Sequence, residues 1–547
     1  MKKEKGVKFL TQILSLVVLV TSISGCGSSK PKTPSPSSPK QSLVYNISAE
    51  SASIDPAIND SVQGGTVITA NFEGLTRQDE KGVIKKGVAK DWTISTDGLI
   101  YTFTLRDDAK WSDGQLVKAQ DFEYAWKRAL DPKLAAVYST FFTDCVVNAA
   151  EYYAGKVKWE EVGIKIKDDK TIEIKLKNPT GYFLQLLASN VFMPVRKDMV
   201  EKSPDKWTQT GDTYIGNGPF QMVKWVHNDS IEFKKNANYW DAKDVKLDTI
   251  TFVMVNDSSS ALTSWEKGEI DIIESVPASE VTRLMSEKKV TLFPYLSNTF
   301  VYLNTSNKTL SDVRVRKALQ LSIDRTAIIN AVTKSGEKPA YGFVSYGILD
   351  ADGKMAFRDK GGDLFKADVE QAKKLLADAG YPGGKGFPQV TYLYNTADTN
   401  KKIAEALQQQ WKANLGIDIK LENIEWSVFL DRRRKQHDFD MARGSWVGDY
   451  VDPLTFLGMF ESKSMFNDAQ YKNPEYDKII NQATIESDPV KRMELMHQAE
   501  KIIIDDAVVA PIFYPNTKEY IRAGITGLYV VPTGTVYFDH VSVQSAK

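Results

Sequence analysis

Within residues 424–457 (IEWSVFLDRRRKQHDFDMARGSWVGDYVDPLTFL) stand Trp426, Leu430, Arg433, Arg443, Trp446 and Asp449. An apolar segment that carries guanidinium groups and a carboxylate beside two indoles needs partners for its charges. A charge buried alone costs several kcal/mol. Two readings satisfy that need. In one, Arg and Asp pair with each other beside core tryptophans. In the other, the segment lines a cleft for a ligand that carries its own charges: the carboxylate meets an ammonium, an arginine meets a carboxylate, and the indoles cover the apolar parts between them.

Catalytic patterns are scarce by comparison. His227, His437, His497 and His540 are far apart in sequence, and none sits in a ligand-spaced pair. There is no HExxH, no GxSxG and no glycine loop ending in GKS or GKT. In GSWVG (444–448) the serine directly follows the first glycine, so it is no nucleophile elbow. PGGKG (382–386) follows a helical pattern, and DADGK (350–354) lacks the later glutamate of a calcium loop. A pair of acids working as a glycosidase remains open from sequence, but nothing marks one. The expectation is a binding protein, not an enzyme, with no cofactor and no metal.

The chain opens as an address. Lys2, Lys3, Lys5 and Lys8 precede an apolar run, 9–23, which is short and dotted with Ser and Thr for a membrane span. It ends Ile-Ser-Gly-Cys, which resembles a lipoprotein signal cut before Cys26 with lipid added to that thiol. An ordinary signal peptide with an incidental cysteine is the other reading. Residues 27–42 (GSSKPKTPSPSSPKQS) read as a flexible tether. Lipid plus tether implies a body held at the extracytoplasmic face of a cell membrane. With Cys26 assigned, Cys145 alone remains, so no internal disulfide forms. The formal net charge is zero over 547 residues. Four lysines against Glu4 in the leader leave the rest slightly acidic. No long basic tract follows, which argues against nucleic acid as partner.

Further along, AKWSDGQLVKAQDFEYAW (109–126), GNGPFQMVKW (216–225), NYWDA (238–242), GEIDI (268–272), DVRVRKALQLSIDR (312–325) and AKKLLADAGYP (372–382) join ARGSWVGDYVDP in a single pattern. Together they resemble the oligopeptide-binding proteins of bacterial ABC importers (family 5 extracellular solute-binding proteins) over nearly the whole mature chain. The resemblance implies an α/β, periplasmic-binding-protein-like fold: two large α/β lobes with a hinge and a third small α+β lobe. The expected division is 1–25 leader, 26–42 lipidated Cys and linker, 43–75, 213–295 and 511–547 first lobe, 76–212 small lobe, and 296–510 the other large lobe.

It also implies roles. Asp449 is the ammonium anchor, Trp446 and Trp426 wall side-chain pockets, Leu430 and Arg433 line one, and Arg443 meets a terminal carboxylate. Tyr138, Asp60 and Val62 match cleft positions, with Asp60 standing where the family more often has glutamate. Where basic residues that cap peptides are expected, this chain has Thr333 and Asn400, with Lys334 and Lys401 one residue away. A cysteine pair of some relatives is replaced near Ser297 and Val447. The implied partners are an oligopeptide and the permease subunits of an ABC importer, for a monomeric protein. A dipeptide, a cell-wall peptide, an oligosaccharide or a role in presenting a peptide signal stays open.

Periodicity supplies the scaffold for these residues. Strands are expected at 43–48, 100–106, 230–236, 247–255 and 389–395, a hairpin at 163–176, and helices at 67–75, 119–130, 259–268, 313–323, 368–380, 399–416, 475–484 and 489–505. A loop is expected at 53–65, a strand at 417–426, and a tail of strands that rejoins the first lobe.

Overall fold

Three large sheets carry the chain, beside three two-stranded ones among the described residues. The computed structural model describes residues 40–544; the leader and Cys26 lie outside the described residues. The first sheet has seven strands, in the order Thr291–Pro294, Asn516–Ile521, Ile272–Ile273, Ser42–Asn46, Thr249–Val253, Ser230–Lys235 and Phe220–Val226. Ser42–Asn46 runs parallel to both of its neighbours. The crossover between those neighbours is helix Ser258–Lys267, capped by the Asp257 carboxylate at Ser260 N and ended at Gly268, φ +81°.

The second sheet orders Lys338–Pro339, Val509–Tyr514, Ser297–Leu303, Met441–Val447, Val390–Asn395 and Ile419–Ile424. Its central strand Ser297–Leu303 is buried at every position. Val390–Asn395 and Ile419–Ile424 pair in parallel, as a strand–helix–strand unit around helix Asp398–Leu415 requires. The third sheet is a four-stranded antiparallel one, Ala89–Ile94, Ile100–Leu105, Thr171–Lys175 and Ile164–Asp168, packed with helix Ala119–Ala129. The lobed α/β fold expected from the sequence is the one observed.

Cores follow the sheets unequally. One continuous core runs from Leu43 and Ile250 of the first sheet to Phe103 and Trp126 of the small one, so those two share an interior. The second sheet has separate cores on its two faces. Phe300, Tyr302 and Ala442 lie on one face; Val301, Leu303 and Met441 lie on the other. The first and second sheets are joined by two adjacent crossings, through Tyr295 and Leu296 and through Pro515.

The structure corrects three local expectations. The strand Val509–Tyr514 belongs to the second sheet, so the chain crosses at Pro515, not at 511. Six consecutive buried positions fit a central strand of either sheet, and parity carries no information there. The strand Ile419–Ile424 stops before Trp426, which starts helix Trp426–Leu430. The loop assigned to 53–65 ends early, because helix Val62–Asn71 starts inside it. Its Gly64 and Gly65 are helical. A Cβ on Gly64 would come within 2.5 Å of the Ser53 carbonyl oxygen and collide with the Asn59 side chain, so the glycine serves a close approach and not a turn.

Under the first sheet, Tyr45 Oη contacts Glu274 Oε1 at 2.7 Å and Glu519 Oε1 at 3.2 Å. A phenol has one proton to donate. With that proton on Glu274, the contact to Glu519 is favourable when Glu519 is protonated. Burial, then the neighbouring Glu274, holds the Glu519 carboxyl far above the usual range, and burial also raises Glu274. Raised carboxyls contribute stability that is fully present below the ordinary carboxylate range and is lost as pH rises through their folded values. The expected result is a melting temperature that falls as pH rises from 5 to 8. Glu519→Gln flattens this slope and at pH 8 gains about 1–2 kcal/mol. Scanning calorimetry across that range checks it, and an unchanged slope in the variant would sink the assignment.

Candidate ligand-binding cleft

Asp449 occupies a cavity of about 250 Å³ between the sheets. The wall is gathered from distant parts of the chain: Asp60 and Val62 at the start of helix Val62–Asn71, Tyr138 and Phe141 from the small lobe, Tyr295 at the crossing, and Thr533–Thr535 from the tail. The lining contains two carboxylates and no lysine, arginine or histidine. Among the described residues neither carboxylate meets a cation, and no side-chain hydrogen bond reaches either. Asp449 is open to solvent through the cavity mouth. The protein around it nonetheless takes it out of bulk water and pushes its carboxyl up to about 6, burial being the whole cause. Tyr138 is raised first by burial and then by the charges of Asp449 and Asp60, so its hydroxyl lies in the field of both. This arrangement asks for a cation, and an ammonium with several N–H donors fits it.

The neighbours of Asp449 hold it in place. Gly448 ends the strand against the Tyr295–Leu296 crossing: its N–H bonds Leu296 O at 2.7 Å, and a Cβ there would meet Leu296 Cγ at 2.7 Å and Thr455 Cγ2 at 2.9 Å. The Asp449 N–H donates to Thr455 Oγ1 at 3.0 Å. Tyr450 stacks face to face on Tyr182 of the small lobe, centroids 4.2 Å apart. Asp452, by contrast, is fully engaged by Arg492 at 2.6 and 2.9 Å. Of these two acids, three residues apart, one is structural and the other is left for a ligand.

Asp60 is presented by its flanks. Ser61 caps the helix at Gly64 N, and Asn59 brackets Ser61 through both ends of its amide. Gly64→Ala is expected to push Asn59 aside, to cost about 1–3 kcal/mol through overpacking, and to weaken ligand affinity by loosening the Asp60–Val62 corner. A melting curve and a titration on the same sample check both effects.

The remaining candidates go elsewhere. Arg433 is buried: its Nε lies 2.9 Å from Asp468 Oδ2, its Nη1 donates to the Arg443 carbonyl at 3.2 Å, and its guanidinium covers the Tyr302 and Phe429 rings. Leu430 packs against the same core. The internal pair is thus with Asp468, and Arg433 does not line the cavity. Trp446 is half-buried edge-on to Phe466, its indole N–H without a protein partner. Trp426 stacks on Phe429 and is 47% exposed.

Arg443 reaches Asn395 Oδ1 at 3.4 Å, has no carboxylate partner among the described residues, and is lowered chiefly by burial. It shares a strand face with Met441, opposite the face of Trp446. Thr333 gives its hydroxyl to Glu337 and Asn400 its amide to Asn395. Lys401 sits near Glu405, and Lys334 is exposed at φ +54°. None of the four lines the cavity. Ser297 and Val447 are direct cross-strand partners.

Several parts of the wall escaped the sequence reading, Ser189, Asn190 and Val191 among them. Phe141 carried no signal beyond its neighbour Tyr138. The turn around Gly534, φ +89°, lies in a tail expected only as strands, and a Cβ there would touch the Tyr295 ring at 3.4 Å. Among the described residues no group of three or more His, Cys, Asp or Glu is placed to hold a metal, and no helix is long and apolar enough to cross a membrane.

A cavity walled by both large lobes and the small one, with two acids that no cation meets among the described residues, is a candidate ligand cleft. The family model of bacterial extracellular solute-binding proteins, family 5 (middle), matches residues 83–468. The chain is 38% identical to the oligopeptide-binding protein OppA of Bacillus subtilis over 545 residues, 98% of this chain and 99% of the relative. It superimposes on the murein tripeptide-binding protein MppA in its unliganded open form with a TM-score of 0.80 at 37% identity, covering 93% of this chain and 99% of that one. A structure of the Escherichia coli MppA gives 0.72 at 36% identity, covering 92% and 99%. The chain belongs to the family 5 extracellular solute-binding proteins.

Proposed function

We propose that this protein is a lipid-anchored, extracytoplasmic solute-binding protein that captures oligopeptides between its lobes and delivers them to the permease of an ABC importer. The observation that carries the peptide reading is the unpaired Asp449, in a cavity whose only charged side chains are acidic. A peptide brings the ammonium that this cavity lacks. The rest of the peptide continues the strand edges and apolar surface around the mouth, where Val62 and Val447 are exposed. The named ligands of the similar proteins, oligopeptides and a murein tripeptide, support the same class.

The higher TM-score with the unliganded open form supports reading this conformation as open. Ligand then draws the lobes together about Tyr295–Leu296 and Pro515. Anchoring rests on Cys26 in the leader's Ile-Ser-Gly-Cys, and transport on the family.

Calorimetry with alanine peptides of two to five residues tests the binding. Saturable binding of tri- to pentapeptides is expected, and heat from the dipeptide alone would move the reading to a dipeptide carrier. For the anchor, labelled palmitate is expected on the wild-type chain and absent from Cys26→Ser; equal labelling of both would refute it.

A further inference from the structure

Behind the crossing strands lies a second cavity of about 430 Å³, larger than the space around Asp449. Both crossings wall it: Leu292, Phe293 and Pro294 before the first, Tyr514 and Pro515 at the second. Ile348 closes it on the side of the second sheet. Tyr295 lines this cavity and the cleft alike. Its size suits a small organic molecule.

Among the charged and amide side chains of this wall, Glu80, Lys81, Lys338 and the Oδ1 of Asn516 have no hydrogen-bond or ion-pair partner among the described residues. Lys338 Nζ lies 3.9 Å from the centroid of the Tyr346 ring and has no carboxylate partner among the described residues. The adjacent Glu337 is already taken by Lys518, Ser335 and Thr333. Asn516 donates its amide N–H to Ser335 O at 3.2 Å, while its buried Oδ1 accepts nothing. A largely apolar chamber with two unpaired ammonium groups, Lys338 and Lys81, against one carboxylate, Glu80, is arranged for an apolar molecule with one acidic group.

We propose that the hinge cavity is a second ligand site, taking a small apolar or aromatic carboxylate whose anion meets Lys338 and whose body lies among Leu292, Phe293 and Ile348. The site is coupled to the cleft. Its walls belong to both sheets, so any rotation of one lobe on the other reshapes it. An occupant that prefers one lobe arrangement changes the affinity of the cleft by the same factor that cleft ligand changes its own. The coupling rests on the peptide-binding reading; occupancy of the hinge cavity does not.

The probe is 4-phenylbutyrate, titrated calorimetrically into the intact protein with and without saturating trialanine. Wild type is expected to bind it at one saturable site. Lys338→Glu weakens that binding at least tenfold. Leu292→Trp, at a position already 40% exposed, blocks it. Both variants keep trialanine affinity within twofold when the probe is absent. Saturating probe shifts the trialanine affinity of wild type at least threefold and leaves that of Leu292→Trp unmoved.

Absence of probe binding, equal binding by both variants, or stoichiometric displacement by trialanine would overturn the site. Variant-sensitive probe binding with no shift in trialanine affinity would overturn the coupling. Variant-sensitive probe binding in a protein that takes no alanine peptide of any length would leave the hinge site standing and refute the peptide reading instead.

Discussion

Asp449→Asn is expected to lower the affinity for a peptide with a free N-terminus by about two to three orders of magnitude, the cost of losing one partner of a desolvated charge pair. Acetylating the peptide's N-terminus should cost wild type a similar factor. The two changes combined should cost little more than either alone, because both remove one interaction. The pH profile carries a second signature. The empty protein's Asp449 titrates at about 6. Affinity should therefore stay level between about pH 6.5 and 7.5 and fall close to tenfold per unit as the carboxylate protonates below 6. In the variant this fall disappears.

Stability should move the other way. A carboxyl raised from its ordinary value contributes fully when protonated and loses that contribution as pH rises through about 6. The empty Asp449→Asn protein should thus melt slightly higher than wild type at pH 7. Titration calorimetry from pH 5 to 8, with scanning calorimetry of the same two proteins, checks every element. Wild-type affinity in the variant would remove Asp449 from the site.

Arg433→Met is expected to cost about 3–5 kcal/mol of stability, because it leaves Asp468 buried and unpaired. Burial already raises the Asp468 carboxyl, and Arg433 is the foremost of the groups that bring it back down. Replacing Asp468 with Asn in the same chain should recover most of the loss, since a neutral amide beside a thioether leaves no bare charge. The alternative role, lining a ligand pocket, makes the opposite forecast: lower peptide affinity with the melting temperature unchanged. Denaturant unfolding of the wild type, both single variants and the double variant separates them. A double variant no more stable than Arg433→Met would contradict the internal pair.

These two residues also mark how far sequence alone reaches. Both stood out in 424–457 for the same reason, charge among indoles, and composition could not say which charge is satisfied internally. The partner of Arg433 is 35 residues away and is brought in only by packing against Tyr302 and Phe429. Asp449 differs because the strand ends at Val447 and Gly448 turns the chain onto Leu296.

Helix and strand positions were legible where periodicity was strong, as in Ala119–Ala129 and in the strand–helix–strand unit from Val390 to Ile424. Parity along Met441–Val447 already places Arg443 and Trp446 on opposite faces, although resemblance had grouped them at one ligand. Least legible were features made by distant contact. Gly64 is glycine because Asn59 and Ser53 leave no room for a Cβ there, and the wall at Thr533–Thr535 reaches the cleft only through the tail's return.

Asp449 is expected to hold the ammonium of a bound peptide. Mass spectrometry of the small molecules released when the purified protein is denatured tests it most directly. A mixture of short peptides with free N-termini is expected, recovered from wild type and depleted at least tenfold from Asp449→Asn. A sugar, a single uncharged compound or N-terminally blocked peptides recovered equally from both proteins would contradict it.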